Sequence, residues 1–141
     1  MAQINPYLTF NGNCRQAMSF YKECLGGELM LHPVDGTPMA DEMPEEMKQH
    51  ILHSALRKGD LLILASDMAR EELTTGNRVA LMVECQSEEE IRSYYNNLSR
   101  GGEIVDPLAT MHWGATFGAI EDKFGINWLL HYESKEVESR K

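Results

Sequence analysis

The chain has 141 residues, 43% hydrophobic and 25% charged, enough for a packed core and too apolar for a disordered chain. Its 22 acidic and 13 basic residues give a net charge of −9, a field that repels phosphate backbones and anionic membranes and argues against nucleic-acid or membrane partners. No run reaches the roughly 18 apolar residues needed to span a bilayer. The three cysteines, Cys14, Cys24 and Cys85, contain no CxxC pair, which speaks against a disulfide framework or structural zinc and makes a reducing cytoplasm the expected location.

Residues 4–10 alternate, with Pro6, Leu8 and Phe10 on one side and Asn5, Tyr7 and Thr9 on the other, predicting a half-buried strand. Asn13 and Gln16 read as a capping box for a helix whose stripe is Ala17, Phe20, Tyr21 and Leu25, and Gly26-Gly27 ends it. A strand over 28–34 follows. Residues 35–49 carry two prolines and Met39, Met43 and Met47, a long loop with one short helical turn from Pro44. The methionines either pack against a sheet edge or form a flexible lid. Strands over 50–57 and 60–66 are joined at Lys58-Gly59, and 69–77 is a polar connector. The order then recurs: strand 78–85, helix 88–99, strand 103–108, a loop to His112, strands 114–121 and 126–132, and a charged tail.

The chain approximately repeats itself. Phe20-Tyr21 and Tyr94-Tyr95 lie 74 positions apart, and Gly26-Gly27-Glu28 and Gly101-Gly102-Glu103 lie 75 apart. Lys58 to Leu64 echoes Phe124 to Leu130 at a spacing of 66. Each half reads β-α-β-β-β, a module too small to bury its own apolar face, so two copies are expected to pack and leave a small-molecule cleft at their seam.

This tandem module resembles the vicinal oxygen chelate superfamily, which includes glyoxalase I, extradiol dioxygenases, fosfomycin-resistance proteins and bleomycin-binding proteins. The residues Pro6-Tyr7-Leu8-x-Phe10-x-Gly12-Asn13, Ala17-x-x-Phe20-Tyr21, Gly26-Gly27-Glu28, His53, Ser66-Asp67, Trp113-Gly114, Phe117-Gly118 and Asp122-Lys123-Phe124-Gly125-x-x-Trp128 are similar to its PhnB-like branch. The resemblance implies an α+β glyoxalase-like fold over 1–141, with curled mixed sheets around a cleft and a homodimer. Module one spans about 1–68, module two about 78–133, and the tail 134–141. It does not fix a reaction.

Metal-using relatives place His, Gln or Glu on the first and fourth strands of each module. Alternation puts Asn5, Ile63, Arg78 and Leu129 there; none is a good ligand for zinc, nickel or iron, so no metal and no cofactor are expected. The remaining polar residues suggest two roles. His53 shares a side with Ala55 and Arg57, and Asp67 ends the next strand, so the two form either an acid–base pair or a structural hydrogen bond. Asn5, Tyr7, Arg78, Trp113 and His131 are candidate ligand-binding residues, with Arg78 as the anchor for a buried anion. Trp128 falls on the core side. PhnB-like sequences are sometimes labelled ubiquinone-pathway methyltransferases, but no Gly-rich strand–helix turn suited to S-adenosylmethionine is present. The chain therefore reads as a metal-free binder of a small, anionic or zwitterionic organic molecule. The alternative is a lyase or isomerase, metal-dependent or using His53 and Asp67.

Overall fold

The structure, a computed structural model, describes residues 2–69 and 72–134. The chain divides into two compact units, Met1–Thr74 and Thr75–Lys141. Unit one runs β1 (Tyr7–Thr9), α1 (Cys14–Leu25), β2 (Glu28–Pro33), two 3-10 turns (Pro38–Glu42 and Glu45–Met47), β3 (Ile51–Lys58) and β4 (Leu61–Ser66). Unit two runs β5 (Leu81–Glu84), α2 (Glu88–Leu98), β6 (Glu103–Thr110), β7 (Ala115–Glu121) and β8 (Asn127–Glu133). The sheet orders are β1-β4-β3-β2 and β5-β8-β7-β6, so both units have one topology. In each, the first strand runs parallel to the last and the other neighbours are antiparallel. This is the α+β, twice-repeated β-α-β-β-β arrangement of a glyoxalase-like fold.

Each sheet has a helix-covered face and an open face. In unit one, α1 packs on β2, β3 and β4, and Ala17, Tyr21, Leu25, Leu56, Ile63 and Ala65 are buried. In unit two, α2 packs on β7 and β8, and Ile91, Leu98, Ile120, Trp128 and Leu130 are at most 1% exposed. Burying each such large apolar side chain stabilises the fold by about 1.5–3 kcal/mol.

The Gly-Gly pairs close both units in the same way. A Cβ on Gly27, where φ is +99°, would lie 2.6 Å from the Arg57 carbonyl oxygen. One on Gly102 would collide with the Glu121 carbonyl. The chain leaving each helix thus crosses the neighbouring strand at backbone contact, a passage open only to glycine.

Four local expectations change. Asn13 makes no side-chain cap bond; the start of α1 is held instead by Asp67, whose Oδ1 accepts from the Gly12 and Cys14 amides at 2.8 and 2.9 Å. A carboxylate 53 residues away supplies what the capping box would have. The second helix does cap itself, with the Glu90 amide donating to Ser87 Oγ at 3.0 Å. The first strands of both units are shorter than alternation suggests, because residues 72–80 are all exposed and the β5–β8 ladder begins only at Leu81. The 35–49 loop holds two 3-10 turns rather than one. Of the expected tail, 134–141, only Ser134 lies among the described residues.

Candidate functional site

Register determines what the open face of unit one carries. Tyr7, Leu64, Ala55 and Met30 lie in one row across the sheet. Leu62, Arg57 and Glu28 form the row on one side, and His53 and His32 face each other on the other. A pocket of about 370 Å³ opens here, lined by Glu28, Leu29, Met30, His53, Ala55, Arg57 and Leu64. Its floor is apolar and its polar groups are two cationic-capable side chains and one carboxylate. Arg57 is exposed and, among the described residues, makes no ion pair or side-chain hydrogen bond; Glu28 sits directly across the strand pair. An unpaired guanidinium over an apolar floor suits a carboxylate or phosphonate with a small hydrocarbon body.

The open face of unit two carries different chemistry on the same lattice. Met82, Leu129, Ala119 and Asp106 form the central row. Glu84, His131, Phe117 and Ala109 form the next, and Asn127, Glu121 and Glu103 the third. His131 Nδ1 and Glu84 Oε2 are 3.0 Å apart. Arg57 and Glu28 of unit one correspond to Glu121 and Glu103, so an opposite-charge pair is replaced by two carboxylates. A second hollow of about 370 Å³ adjoins this third row, lined by Glu103 and Glu121 together with the turn residues Thr75, Gly101, Gly102, Lys123 and Gly125.

Comparison with known proteins was made on this fold. A model of the 3-demethylubiquinone-9 3-methyltransferase family matches residues 2–131. The chain belongs to this family, the PhnB-like family. Protein YjdN of Escherichia coli K12 is 28% identical over 137 residues, covering 91% of this chain and 93% of YjdN. The crystal structure of protein PA1353 from Pseudomonas aeruginosa is similar at 34% identity and a TM-score of 0.82, covering 94% of this chain and 98% of that one. A PhnB protein of Bacillus cereus matches at 23% identity and a TM-score of 0.73, covering 93% and 99%. The fosfomycin resistance protein FosX of Listeria monocytogenes shares the fold at 14% identity and a TM-score of 0.64, covering 97% of each chain.

In this PhnB-like chain the residues singled out from sequence fall on different elements of the two units. His53 lines the unit-one pocket, and Tyr7 stands beside Leu64 on the same face, 52% exposed. Asn5 precedes β1, where its Oδ1 accepts from Gln3 Nε2 at 2.9 Å. Asp67 is not paired with His53. Its carboxylate, 3% exposed, accepts from the backbone amides of Gly12, Cys14 and Ile51 at 2.8–2.9 Å. Those three bonds leave it a structural clamp between α1 and β3. Arg78 is exposed and lies ahead of β5, so the burial on which its anchoring role was reasoned is absent in this chain. Trp113, 54% exposed, occupies the β6–β7 turn with its ring edge-on to His112, centroids 4.9 Å apart. Trp128 is core as expected, 1% exposed, and its Nε1 donates to Asp122 Oδ2 at 2.8 Å. His131 is on the open face of unit two.

From sequence Arg57 was placed beside His53 without a role of its own, and one partnership was missed. Arg57 shares the His53 side by simple alternation, so its signal was present. The Glu84–His131 pair is 47 residues apart and needs the β5–β8 register, which no local pattern encodes.

The superfamily metal positions do not fit a metal here. Register also corrects one of them: Ile63, 3% exposed on the helix side and paired with Leu56, is not the counterpart of Leu129. Leu64 is, because it pairs with the first strand and with Ala55 as Leu129 pairs with Met82 and Ala119. The central open-face pairs are thus Tyr7–Leu64 and Met82–Leu129, without an imidazole or carboxylate between them. Among the described residues no group of three or more His, Cys, Asp or Glu side chains could hold a metal ion. Nor does a nucleophilic thiol offer itself: burial pushes Cys14 up to about 11 and Cys85 up to about 12.

Proposed function

We propose that this PhnB-like protein binds a small anionic or zwitterionic organic molecule on the open face of unit one. The observation that carries this reading is Arg57, a guanidinium with no ion pair among the described residues, facing a pocket of about 370 Å³ floored by Met30, Ala55 and Leu64. Arg57 would take the ligand's carboxylate or phosphonate, His53 would orient a second polar group, and Glu28 would meet an ammonium where the ligand is zwitterionic. This assigns to Arg57 the anchoring role reasoned for Arg78. The methyltransferase activity in the family's name is not part of the reading: the β1–α1 turn, Asn11-Gly12-Asn13, offers one glycine, whose amide is taken, with that of Cys14, by Asp67.

The deciding experiment is a thermal-shift and calorimetric screen of small carboxylates, phosphonates and amino acids against the wild type and Arg57→Met. A ligand of the wild type should lose at least about 1.5 kcal/mol of binding in the variant, the low end for a hydrogen bond to a charged group. Stability should move by less than about 0.5 kcal/mol, since the side chain is exposed. Equal binding by both proteins would sink the proposal.

The protein would act as a homodimer in a reducing compartment. Edge strand β6 exposes Ile104 and Val105 at 56% and 59%, apolar area that a second copy would cover, and the three cysteines are buried and form no disulfide. No helix among the described residues is long and apolar enough to cross a membrane. Sedimentation at micromolar concentration should give twice the 16.0 kDa chain mass; a lone monomer would contradict the dimer.

A further inference from the structure

We propose that His131, oriented by Glu84, is a proton acceptor toward a neutral, flat molecule carrying a weakly acidic ring hydroxyl, bound over Phe117 on the open face of unit two. The site stands independently of the Arg57 pocket. Sequence pointed to a histidine–carboxylate pair at His53 and Asp67; the fold builds one elsewhere.

The geometry fixes the roles. Glu84 Oε2 stands 3.0 Å from His131 Nδ1. A carboxylate only accepts, so in the neutral ring the proton sits on Nδ1 and the lone pair on Nε2. The Glu84 contact is the only side-chain hydrogen bond of His131 among the described residues. The imidazole is 24% exposed and Glu84 60%, so the ring is held by its neighbours while Nε2 stays reachable. Glu84 and His131 are direct partners in the β5–β8 ladder, and both strands belong to the four-stranded sheet, so the pair rests on a rigid element rather than a loop.

The surroundings select the ligand. Phe117 lies directly across from His131 on β7, and Leu129 and Met82 form the adjacent row. A flat apolar body beside the imidazole suits an aromatic ring. Glu84, and Asp106 on the next strand, disfavour a ligand already anionic. The ligand should therefore arrive neutral and give up its proton in place. In that step the hydroxyl proton moves to Nε2 and the O–H electron pair remains on oxygen as an aryloxide. The imidazolium is compensated by the Glu84 carboxylate at Nδ1. Nothing is oxidised or reduced, and the reverse transfer restores both partners. Glu84 is the positioning residue in this scheme.

The probe is 4-nitrophenol, whose aryloxide has its own visible band. It is titrated with the full chain at a pH at which the free dye is mostly protonated. The wild type should bind the dye and develop the aryloxide band. His131→Gln should weaken binding by about tenfold or more and abolish the band. Glu84→Gln keeps an acceptor for Nδ1–H but removes the charge, so binding should hold within about threefold while most of the band is lost. Arg57→Met, which removes the unit-one anchor, is titrated alongside. On the wild type alone, nitrogen NMR should show Nε2 of His131 becoming protonated as dye is added, which keeps the test independent of how the variants fold. No aryloxide band in the wild type would overturn the proposal, as would a band that survives His131→Gln. A band lost only in Arg57→Met would place the proton acceptor on unit one and also overturn it, whatever the outcome for anion binding there.

Discussion

The two units share a topology, and the β1-β4-β3 and β5-β8-β7 ladders have equivalent register, yet their open faces have parted. On the helix-covered side the positions correspond in kind: Ile63 and Trp128, and Ala65 and Leu130, are all buried apolar residues. On the open side Ala55 answers Ala119 and Leu64 answers Leu129, but Arg57 answers Glu121, His53 answers Phe117 and Tyr7 answers Met82. The helix-facing half of each strand must stay apolar to stabilise the unit, so duplication preserves it. The open half carries less of that constraint, and there the copies have taken on opposite charge. One lattice thus supports a cationic pocket in unit one and an acid–base pair in unit two.

The comparison can be broken most severely at the clamps. Each unit buries one carboxylate at 3% exposure, Asp67 and Asp122, and each ties backbone amides together. Asp67 holds Gly12, Cys14 and Ile51; Asp122 holds Phe124, Ile126 and the Trp128 indole. Asp67→Ala or Asp122→Ala leaves three donors without their acceptor and should lower stability by about 3 kcal/mol or more, read by urea unfolding. If the units are equivalent in construction, the two losses should be similar. A loss under about 1 kcal/mol in either would show that water replaces that clamp.

A smaller effect concerns two buried thiols, one at the start of α1 and one after β5. Folded Cys14 and Cys85 lose their protons near pH 11 and 12 rather than at the ordinary 9.0. A raised value means that the folded state keeps its proton while the unfolded chain releases it. Stability is therefore unaffected below about pH 9 and falls as pH rises toward 11. Melting temperatures across that window should drop less in Cys85→Ala than in the wild type. Equal slopes would place the alkaline loss on other groups. At neutral pH the native thiols should also resist iodoacetamide until the protein is unfolded.

The smallest effect sharpens the contrast in charge. Glu103 and Glu121 face each other directly in unit two, where unit one has Glu28 opposite Arg57. Like charges in that relation repel. Glu121→Arg should recreate the unit-one pair and raise stability by about 0.2–1 kcal/mol, less at high salt. A destabilised variant would mean that Glu121 is held by other contacts.

The sequence by itself determined the repeat, the order of elements and the two faces of most strands. Apolar alternation and helical stripes are local patterns that any packing must honour. It also placed Trp128 in the core, because that follows from a few neighbouring residues. What only the tertiary structure decided is which distant residues meet. The register shift beyond His32 and those between Ile104 and Ala109 alter pairing by a residue, enough to exchange the two faces of a strand. The repeat spacing of 66 named Ile63 where the ladder names Leu64 because the β7–β8 connection is longer than the β3–β4 one: Ala55 pairs with Leu64, while Ala119 pairs with Leu129. Asp67 went to three backbone amides instead of His53 for a reason of hydrogen-bond satisfaction. An unpaired amide at a helix start or strand entry is costly to bury, and Asp67 lies where three of them converge. Glu84 and His131 meet by register: the parallel β5–β8 ladder aligns them, and no pattern within either strand could.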